Sequence, residues 1–270
     1  MGLANDAAAS LVLAHAWYFV PMSIPGESPF PGEMIQQMVD DEAKGLAEAA
    51  QAATALGATR VETTFLTGHP WTRLVETVER DRGFELVVLG THGRTGLGRI
   101  LLGSVAEQVV RHAPCSVLVA RGDAVRFKQI LCLVDFSDEA RTAVDAAARL
   151  AATMAAELTL AHIVEIPITF SGNPSIGDFV SDLERRSAKL LDEWAAELRG
   201  KITTPVTTQT RVGSAAAATL ALLDGDRSFD LAVVGSHGRT GLRRVLLGSV
   251  AESIVRHAPC SVLVARTRHG

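Results

Sequence analysis

Glycines and serines at a repeated spacing are the residues of this chain best suited to do chemistry. The spacing G-x2-G-x9-G-S occurs twice, at Gly90, Gly93, Gly103 and Ser104 and again at Gly235, Gly238, Gly248 and Ser249. Glycine lets the backbone approach a ligand with no Cβ in the way, and the free amides at the start of a helix attract an anion. The pattern therefore predicts a phosphate-binding loop in each half of the chain.

The loop belongs to a longer repeat, and this repeat defines the domain unit. Residues 90–121 recur as residues 235–266 with five differences, and Gly68 and Phe84 recur 145 residues later as Gly213 and Phe229. That period is far too long for a solenoid, so the repeating unit is a whole domain. A chain of 270 residues that is 47% hydrophobic can build two such domains of about 130 residues each.

Apolar runs and helical stretches alternate through the second half. We predict strands at 130–134, 158–164, 206–211, 231–235 and 261–265, and helices at 138–155, 177–198, 215–224 and 249–257. Short apolar strands separated by helices predict a parallel sheet with helices on both faces. Ligands of such sheets bind at the carboxyl ends of the strands, which is where each glycine loop lies.

A second motif marks the helix that follows each loop. Ser104 with Glu107, and Ser249 with Glu252, have the S-x-x-E spacing of a capping box, in which the serine and the acid satisfy free N–H groups of the first turn. A capping box alone only starts a helix. Here each serine follows a glycine, and the preceding strand runs into G-x-x-G, so a phosphate site is the better interpretation.

These motifs together resemble the ATP-binding branch of the universal stress protein family. The resemblance rests on the glycine spacing, on VDFSDEA at 134–140, on LTLAHIVE at 158–165 and on APCSVLVAR at 258–266. It implies an α/β fold of two tandem, doubly wound, Rossmann-like domains, each with a parallel five-stranded sheet of strand order 3-2-1-4-5. The expected domains are 1–121 and 130–266, joined by a linker at 122–129.

The resemblance also implies a ligand, which is ATP or another adenine nucleotide, with any Mg²⁺ carried by the phosphates. It places the nucleoside against Asp135 and the backbone near Ile163, and the phosphates against Gly235, Gly238, Arg239, Gly248, Ser249 and Val250. A carboxylate at a strand end can accept hydrogen bonds from a ribose, and a glycine-rich helix start can hold phosphate oxygens. The arginines just after the loop, of which Arg239 is the first, either contact the phosphates or form a solvated helix face.

The first half departs from this pattern at its start. Leu13-Ala14-His15 matches Leu160-Ala161-His162 at an offset of 147 residues, so the first half should lack its first strand, the equivalent of Asp135 and most of its first helix. The site around Gly90, Gly93, Gly103 and Ser104 is then incomplete. We expect the natural chain to begin upstream of Met1; the alternative is a rearranged or strand-borrowing first half.

Two classes of function fit these residues: a nucleotide-binding stress-response regulator and an enzyme that acts on an adenine nucleotide. His92 and His237 lie inside the glycine loops, but no nucleophile and base at a recognisable spacing accompany them, so we assign no catalytic residue. His15 and His162, at matched strand ends, are interpreted as structural. No metal-ligand motif and no P-loop pattern occur, which favours the regulator, although slow hydrolysis stays open. A pure pairing scaffold is the third and weakest reading.

Charge and cysteine usage limit the partners. Lys and Arg total 26 against 30 Asp and Glu, which argues against a nucleic acid or an anionic membrane as the main partner. The cysteines, at 115, 132 and 260, lie in no CxxC pair and are interpreted as buried apolar residues of a cytoplasmic protein. The matched final strands, 116–120 and 261–265, are predicted to pair antiparallel within the chain as a pseudo-dimer, and further homodimerisation is left open.

Overall fold

A computed structural model describes residues 9–18, 31–91, 102–122, 126–166, 176–225, 229–238 and 247–267. The strands among them are β1 (Leu11–Trp17), β2 (Val61–Thr67), β3 (Leu86–Gly90), β4 (Ser116–Ala120), β5 (Gln129–Leu133), β6 (Glu157–Val164), β7 (Val206–Val212), β8 (Leu231–Gly235) and β9 (Ser261–Ala265). The helices are α1 (Gly32–Ala55), α2 (Pro70–Arg80), α3 (Ser104–His112), α4 (Asp138–Met154), α5 (Ile176–Arg199), α6 (Ala215–Leu223) and α7 (Ser249–His257). The chain divides into two units, Met1–Arg82 and Gly83–Gly270.

The first unit contains a two-stranded parallel sheet, in which β1 pairs with β2 from Leu11↔Val61 to Trp17↔Thr67. His15, near the end of β1, reaches α1, where its Nε2 lies 3.2 Å from Oε2 of Glu42. Its ring also contacts the Phe65 ring, with the centroids 5.6 Å apart. His15 therefore ties the helix to both strands.

The second unit is built on a seven-stranded sheet of order β3-β4-β9-β8-β5-β6-β7. The strands of the second half run in the order β7-β6-β5-β8-β9, and each lies within a residue of its predicted bounds. Ala143, Ala147 and Ala151, four residues apart on one face of α4, are fully buried. Their small side chains let this helix lie close to the sheet. The predicted α/β class is confirmed.

The final strands of the two halves pair with each other. The ladder between β4 and β9 is antiparallel, with the pairs Val117↔Val264, Leu118↔Leu263 and Val119↔Val262, whereas the other ladders among the described strands of this sheet are parallel. This antiparallel pairing was predicted and is confirmed. Because each strand covers the edge of the other, neither leaves an apolar edge exposed.

Arg121, which follows β4, binds the end of helix α7 in the other copy of the repeat. Its guanidinium donates to the carbonyl oxygens of Val255 at 2.6 Å, Arg256 at 3.3 Å and Cys260 at 3.4 Å. The last carbonyls of a helix have no intrahelical partner, and a cation there also suits the helix dipole. Arg121 therefore caps α7, although burial lowers the pKa of its guanidinium.

Arg266, the counterpart of Arg121, caps helix α3 in return. Its guanidinium donates to the carbonyl oxygens of Val110 at 2.6 Å and Arg111 at 3.1 Å, and to that of Ala113. Burial lowers the pKa of this guanidinium as well. The two copies of the repeat thus exchange equivalent arginines, so the duplication gives each helix end a partner that a single copy could not supply to itself.

Replacing one of these arginines should destabilise the second unit. Arg266→Ala leaves the last carbonyls of α3 without their donor, so we expect the free energy of unfolding to fall by about 1–3 kcal/mol. Arg266→Lys should recover only part of this loss, since an ammonium cannot reproduce the planar fork. Urea denaturation measures the change. The matched control is Arg185→Ala, whose side chain is 75% exposed; a loss of equal size there would contradict the assignment.

The first half has no described strand that corresponds to β5. In the second half β5 lies between β6 and β8, whereas in the first half the counterparts of β6 and β8, which are β1 and β3, belong to different sheets. The two copies also differ in burial, since Val88 of β3 is 54% exposed and its counterpart Val233 of β8 is fully buried.

The three cysteines are buried, as predicted, and none of them forms a disulfide. Burial raises the pKa of the Cys132 thiol well above its ordinary range and that of Cys260 to about 11, so both thiols stay protonated at neutral pH. Searched for membrane spans, the described residues contain no helix with the length and apolar character needed to cross a bilayer.

Candidate functional site

Three elements of the second half end at one place, the carboxyl edge of the sheet. Strand β5 runs into Asp135, strand β8 runs into the loop that contains Gly238, and helix α7 begins after Gly248. A Cβ on Gly238 would lie 2.9 Å from Oδ2 of Asp135, so the loop and the carboxylate are in close contact. The structure therefore brings together the predicted acidic residue and the predicted glycine loop.

Ser137 holds the Asp135 carboxylate in position. Its backbone N–H donates to Oδ1 of Asp135 at 3.0 Å, and its hydroxyl donates to the same oxygen at 2.5 Å. The Ser137 hydroxyl also accepts from the N–H of Ala140 at 3.1 Å, as the N-cap of α4. Sequence reasoning missed this role, although a serine directly before the acidic pair Asp138-Glu139 is a recognisable N-cap signal.

An aromatic cluster packs against the turn that contains Asp135 and Ser137. Phe136 has a φ of 63°, uncommon for a bulky residue, and its ring packs against His162 at 4.6 Å and Trp194 at 5.5 Å between centroids. Nδ1 of His162 also lies 2.6 Å from the carbonyl oxygen of Val134. His162 is buried and positions the turn, so its predicted structural role agrees with this geometry.

Ile163 lies where the edge of β6 is no longer covered by β5. The ladder between the two strands ends at Leu133↔Ala161, and the N–H of Val134 donates to the carbonyl of Ala161 at 2.8 Å. Backbone groups along a strand point alternately to its two neighbours. Ile163, two residues beyond Ala161, therefore presents its N–H and C=O groups toward the side of Asp135.

The two remaining glycines of the motif have close neighbours within the protein. A Cβ on Gly235 would lie 3.1 Å from the backbone carbonyl of Glu139, so glycine is needed there for β8 to approach the first turn of α4. The N–H of Gly248 donates to the carbonyl of Ser236 at 2.8 Å, which fixes the start of α7 against the glycine loop. Both residues shape the site from within.

The start of α7 differs from the prediction. The N-cap is Gly248 and no side-chain cap hydrogen bond forms, so the predicted capping box of Ser249 with Glu252 is wrong. The same holds for Ser104 with Glu107, because Gly103 is the N-cap of α3. Ser249 is instead the first residue of the helix.

The two glutamates of the predicted capping boxes form ion pairs with arginines instead of binding the backbone at the helix starts. Glu252 accepts from Arg111 at 3.2 Å and Arg256 at 3.1 Å, and Glu107 accepts from Arg256 at 2.6 Å and Arg111 at 3.4 Å. Hydrogen bonds between charged groups are stronger than the backbone contact of a capping box, so the ion-pair network takes precedence. The network joins α3 to α7.

The first-turn amides of α7 receive no side-chain cap and can therefore donate to a ligand. The N–H groups of Ser249, Val250 and Ala251 have no intrahelical partner, because the first bond of the ladder runs from Glu252 to Gly248. Together with the helix dipole, these amides favour a negatively charged group. The predicted donors Ser249 and Val250 therefore lie at a helix start that suits an anion.

His237 adds a polar atom to the loop. Its Nδ1 lies 3.0 Å from the Ser236 hydroxyl, and its Nε2 is buried without a hydrogen-bond partner. A buried nitrogen in this state is unfavourable unless a ligand or water satisfies it. A search of the described residues for clusters of His, Cys, Asp and Glu finds no group that could hold a metal ion.

The first copy repeats the helix start but not the acidic turn. The N–H of Gly103 donates to the carbonyl of Thr91 at 2.8 Å, as Gly248 does to Ser236, and Ser104 begins α3 after Gly90 ends β3. No described residue of this half takes the place of Asp135. The predicted positions Gly93 and Arg239 lie outside the described residues.

Comparison with known proteins places these features in a family. The profile of the universal stress protein family matches residues 2–121 and again residues 126–266. Universal stress protein Rv2005c of Mycobacterium tuberculosis is 33% identical over 201 residues, which is 70% of this chain and 64% of that protein. The chain thus spans just under two thirds of the length of this relative.

Solved structures show the same fold. A putative universal stress protein from Pseudomonas aeruginosa UCBPP-PA14 superposes with a TM-score of 0.69 at 18% identity, covering 99% of this chain and 86% of that one. A universal stress protein from Archaeoglobus fulgidus gives a TM-score of 0.65 at 22% identity, with coverage of 98% and 89%. At these identities the likeness extends to the fold.

Proposed function

The chain belongs to the universal stress protein family, and from this premise we propose that its second half binds an adenine nucleotide. The observation that carries the proposal is the contact between Gly238 and the Asp135 carboxylate beside the start of α7. A carboxylate can accept hydrogen bonds from ribose hydroxyls, and the amides at a helix start can donate to phosphates, so this contact supports a nucleotide as the ligand.

Each residue then has a role set by its chemistry. Asp135, fixed by Ser137, accepts hydrogen bonds from the ribose, and the backbone groups of Ile163 meet the base. The amides of Ser249 and Val250 and the Ser249 hydroxyl donate to phosphate oxygens, and Gly248, whose N–H is bound to the Ser236 carbonyl, holds this helix start against the loop. Gly235 and Gly238 keep the loop close to the ligand, and Arg239 adds positive charge. The unpartnered Nε2 of His237 also supports a polar ligand here.

The nucleotide is ATP in this proposal, and Mg²⁺ accompanies its phosphates without protein ligands of its own. Bound Mg²⁺ neutralises phosphate charge and usually keeps several waters. The protein acts as a stress-response regulator, in which occupancy of the site changes the stability of the second unit or the surface that it presents to a partner.

The two halves are unequal in this proposal. The first half, 1–121, carries an incomplete site at Gly90, Gly93, Gly103 and Ser104, and the second half, 130–266, carries the working one after a linker at 122–129. Phosphate donors without a nucleoside-binding carboxylate bind a nucleotide weakly. We therefore expect one tightly bound nucleotide per chain.

Calorimetric titration with MgATP tests this proposal, with a matched pair of variants. Ser249→Ala removes one hydroxyl donor to a charged group and should weaken binding about tenfold or more. The helix should persist, because the Ser249 side chain makes no cap hydrogen bond. Ser104→Ala, the same change in the incomplete copy, should leave the tight binding event unaltered.

Two results would contradict the proposal. Equal weakening by both variants would mean that both loops work, and no binding by the unaltered chain would remove the nucleotide assignment. Acid extraction of the titrated protein, followed by identification of the nucleotide, separates a binder from an enzyme. Intact ATP after prolonged incubation is the expected result, whereas conversion to product would favour the enzyme reading.

A further inference from the structure

A groove of about 410 Å³ lies in the second unit between the edge strand β7 and helix α6. It is lined by Gln209, Arg211 and Val212 of the strand and by Ala218, Ala221, Leu222, Gly225 and Phe229. Its volume is in the range of small-molecule sites, which are mostly apolar with a few polar groups that orient the ligand. None of these residues belongs to the proposed nucleotide site.

Helix α6 is more apolar than its place in the fold requires. Its sequence, AAAATLALL, has no charged residue, yet among its residues only Thr219 and Leu223 are buried. The helix in the equivalent position of the first half, α2, carries charged residues on its outer side: Arg73, Glu76, Glu79 and Arg80. A helix that is apolar all round is normally buried, so the outer face of α6 is suited to a partner or ligand.

Two polar side chains of β7 face this apolar helix. Gln209 and Arg211 are two residues apart, so they lie on the same face of the strand. The opposite face points to α5, where the Thr208 hydroxyl donates to Asp192 at 2.6 Å. Gln209 and Arg211 therefore share the groove with α6.

Both side chains have unused hydrogen-bonding capacity. Oε1 of Gln209 is buried and has no hydrogen-bond partner. Arg211 is the only charged residue among the described residues that line the groove, and its Nη1 donates to the carbonyl of Thr210 at 3.3 Å. The groove thus combines an unsatisfied acceptor, a cation whose Nη1 donates to one carbonyl and whose Nε and Nη2 donors remain for a ligand, and an apolar wall.

We propose that this groove binds an apolar carboxylic acid that carries an N–H donor, the chemistry of an N-acylated apolar amino acid. Arg211 holds the carboxylate through paired hydrogen bonds, and Oε1 of Gln209 accepts from the amide N–H. The apolar side chain packs on Ala221, Leu222 and Phe229. Two sources present this chemistry, a free small molecule and the carboxyl-terminal residue of a peptide.

The test is an NMR titration of the full chain, labelled with ¹⁵N, against N-acetyl-L-phenylalanine. The expected result is saturable shifts of amide signals in β7 and α6. N-acetyl-L-phenylalanine amide, which lacks the charge, should bind at least tenfold more weakly. 3-Phenylpropanoic acid, which lacks the N–H, should also bind more weakly.

Variants assign the two contacts. Arg211→Gln should weaken binding of the acid about tenfold and remove the preference for acid over amide, whereas Arg185→Gln, at an exposed position of α5, should change neither. Gln209→Leu should abolish the difference between N-acetyl-L-phenylalanine and 3-phenylpropanoic acid. Circular dichroism of each variant, compared with the unaltered chain, shows that the fold is kept.

Several outcomes would overturn the proposal. They are an absence of saturable shifts, equal binding of acid and amide, undiminished binding by Arg211→Gln, and self-association of the chain through β7 in the absence of any probe. The peptide acetyl-Ala-Ala-Ala-Phe identifies the source. Tighter binding than N-acetyl-L-phenylalanine, with shifts extending along β7, supports a peptide end; equal or weaker binding supports a free acid.

Discussion

Val262→Asp is expected to abolish most of the stability of the second unit. Val262 is fully buried in β9, directly opposite Val119 of β4, and a carboxylate there has no cation or donor in the ladder to pair with. Burying an unpaired charge costs several kcal/mol, against a total stability of about 5–15 kcal/mol for a typical domain. Urea denaturation followed by circular dichroism measures the loss.

The repeat offers a second variant at an equivalent position and a matched control for this experiment. Val117→Asp alters the equivalent buried position in β4 and should have a similar effect, because Val117 pairs with Val264 across the same ladder. Val88→Asp makes the same change on an exposed strand position and should alter the free energy of unfolding by about 1 kcal/mol or less. If Val262→Asp proved no more harmful than Val88→Asp, β4 and β9 would not form a buried ladder in solution.

Gly238→Val is expected to abolish tight binding of ATP while the fold survives. A Cβ at this position lies 2.9 Å from Oδ2 of Asp135, so the carboxylate must move, and its two hydrogen bonds from Ser137 must weaken or break. The branched side chain also occupies space beside the start of α7. Losing several charge-assisted hydrogen bonds at once corresponds to about a hundredfold loss of affinity or more.

The control for Gly238→Val is Gly32→Val at the start of α1. A Cβ on Gly32 meets no atom within 4 Å, so the same substitution has open space there. Calorimetric titration with MgATP should show unchanged affinity for Gly32→Val and little or no binding for Gly238→Val. Undiminished affinity in Gly238→Val, with the fold shown intact by circular dichroism, would rule out the assignment of the glycine loop.

The secondary structure of the second half was predictable to within one residue at most element ends. Strand β8 and helix α7 occupy the predicted residues, 231–235 and 249–257, because each element has its own apolar period and ends at a glycine or proline. The antiparallel pairing of β4 and β9 was also predictable, since two matched apolar strands would otherwise expose their edges.

Side-chain partners across the repeat were less predictable. Glu252 has the spacing of a capping box, but its carboxylate is bound by Arg111 and Arg256. Arg121 and Arg266 read as ordinary residues after a strand, yet each caps a helix of the other copy. The arginine caps join residues that are 134 to 156 positions apart in the sequence, and the ion pairs of Glu252 depend on the approach of α3 to α7. Local sequence patterns therefore cannot predict these contacts.

By itself, the sequence determined the α/β class, the twofold repeat, the element boundaries of the second half and the residue types of the glycine loop. These follow from short-range rules of periodicity, glycine geometry and self-similarity, which act within a few turns of chain. Only the tertiary structure decided that Gly238 touches Asp135, that Gln209 and Arg211 face an apolar helix, and that β1 and β3 fall in different sheets. These features depend on how elements that are distant in sequence pack against each other, because the burial and the ion pairs of a side chain are determined by its neighbours in space.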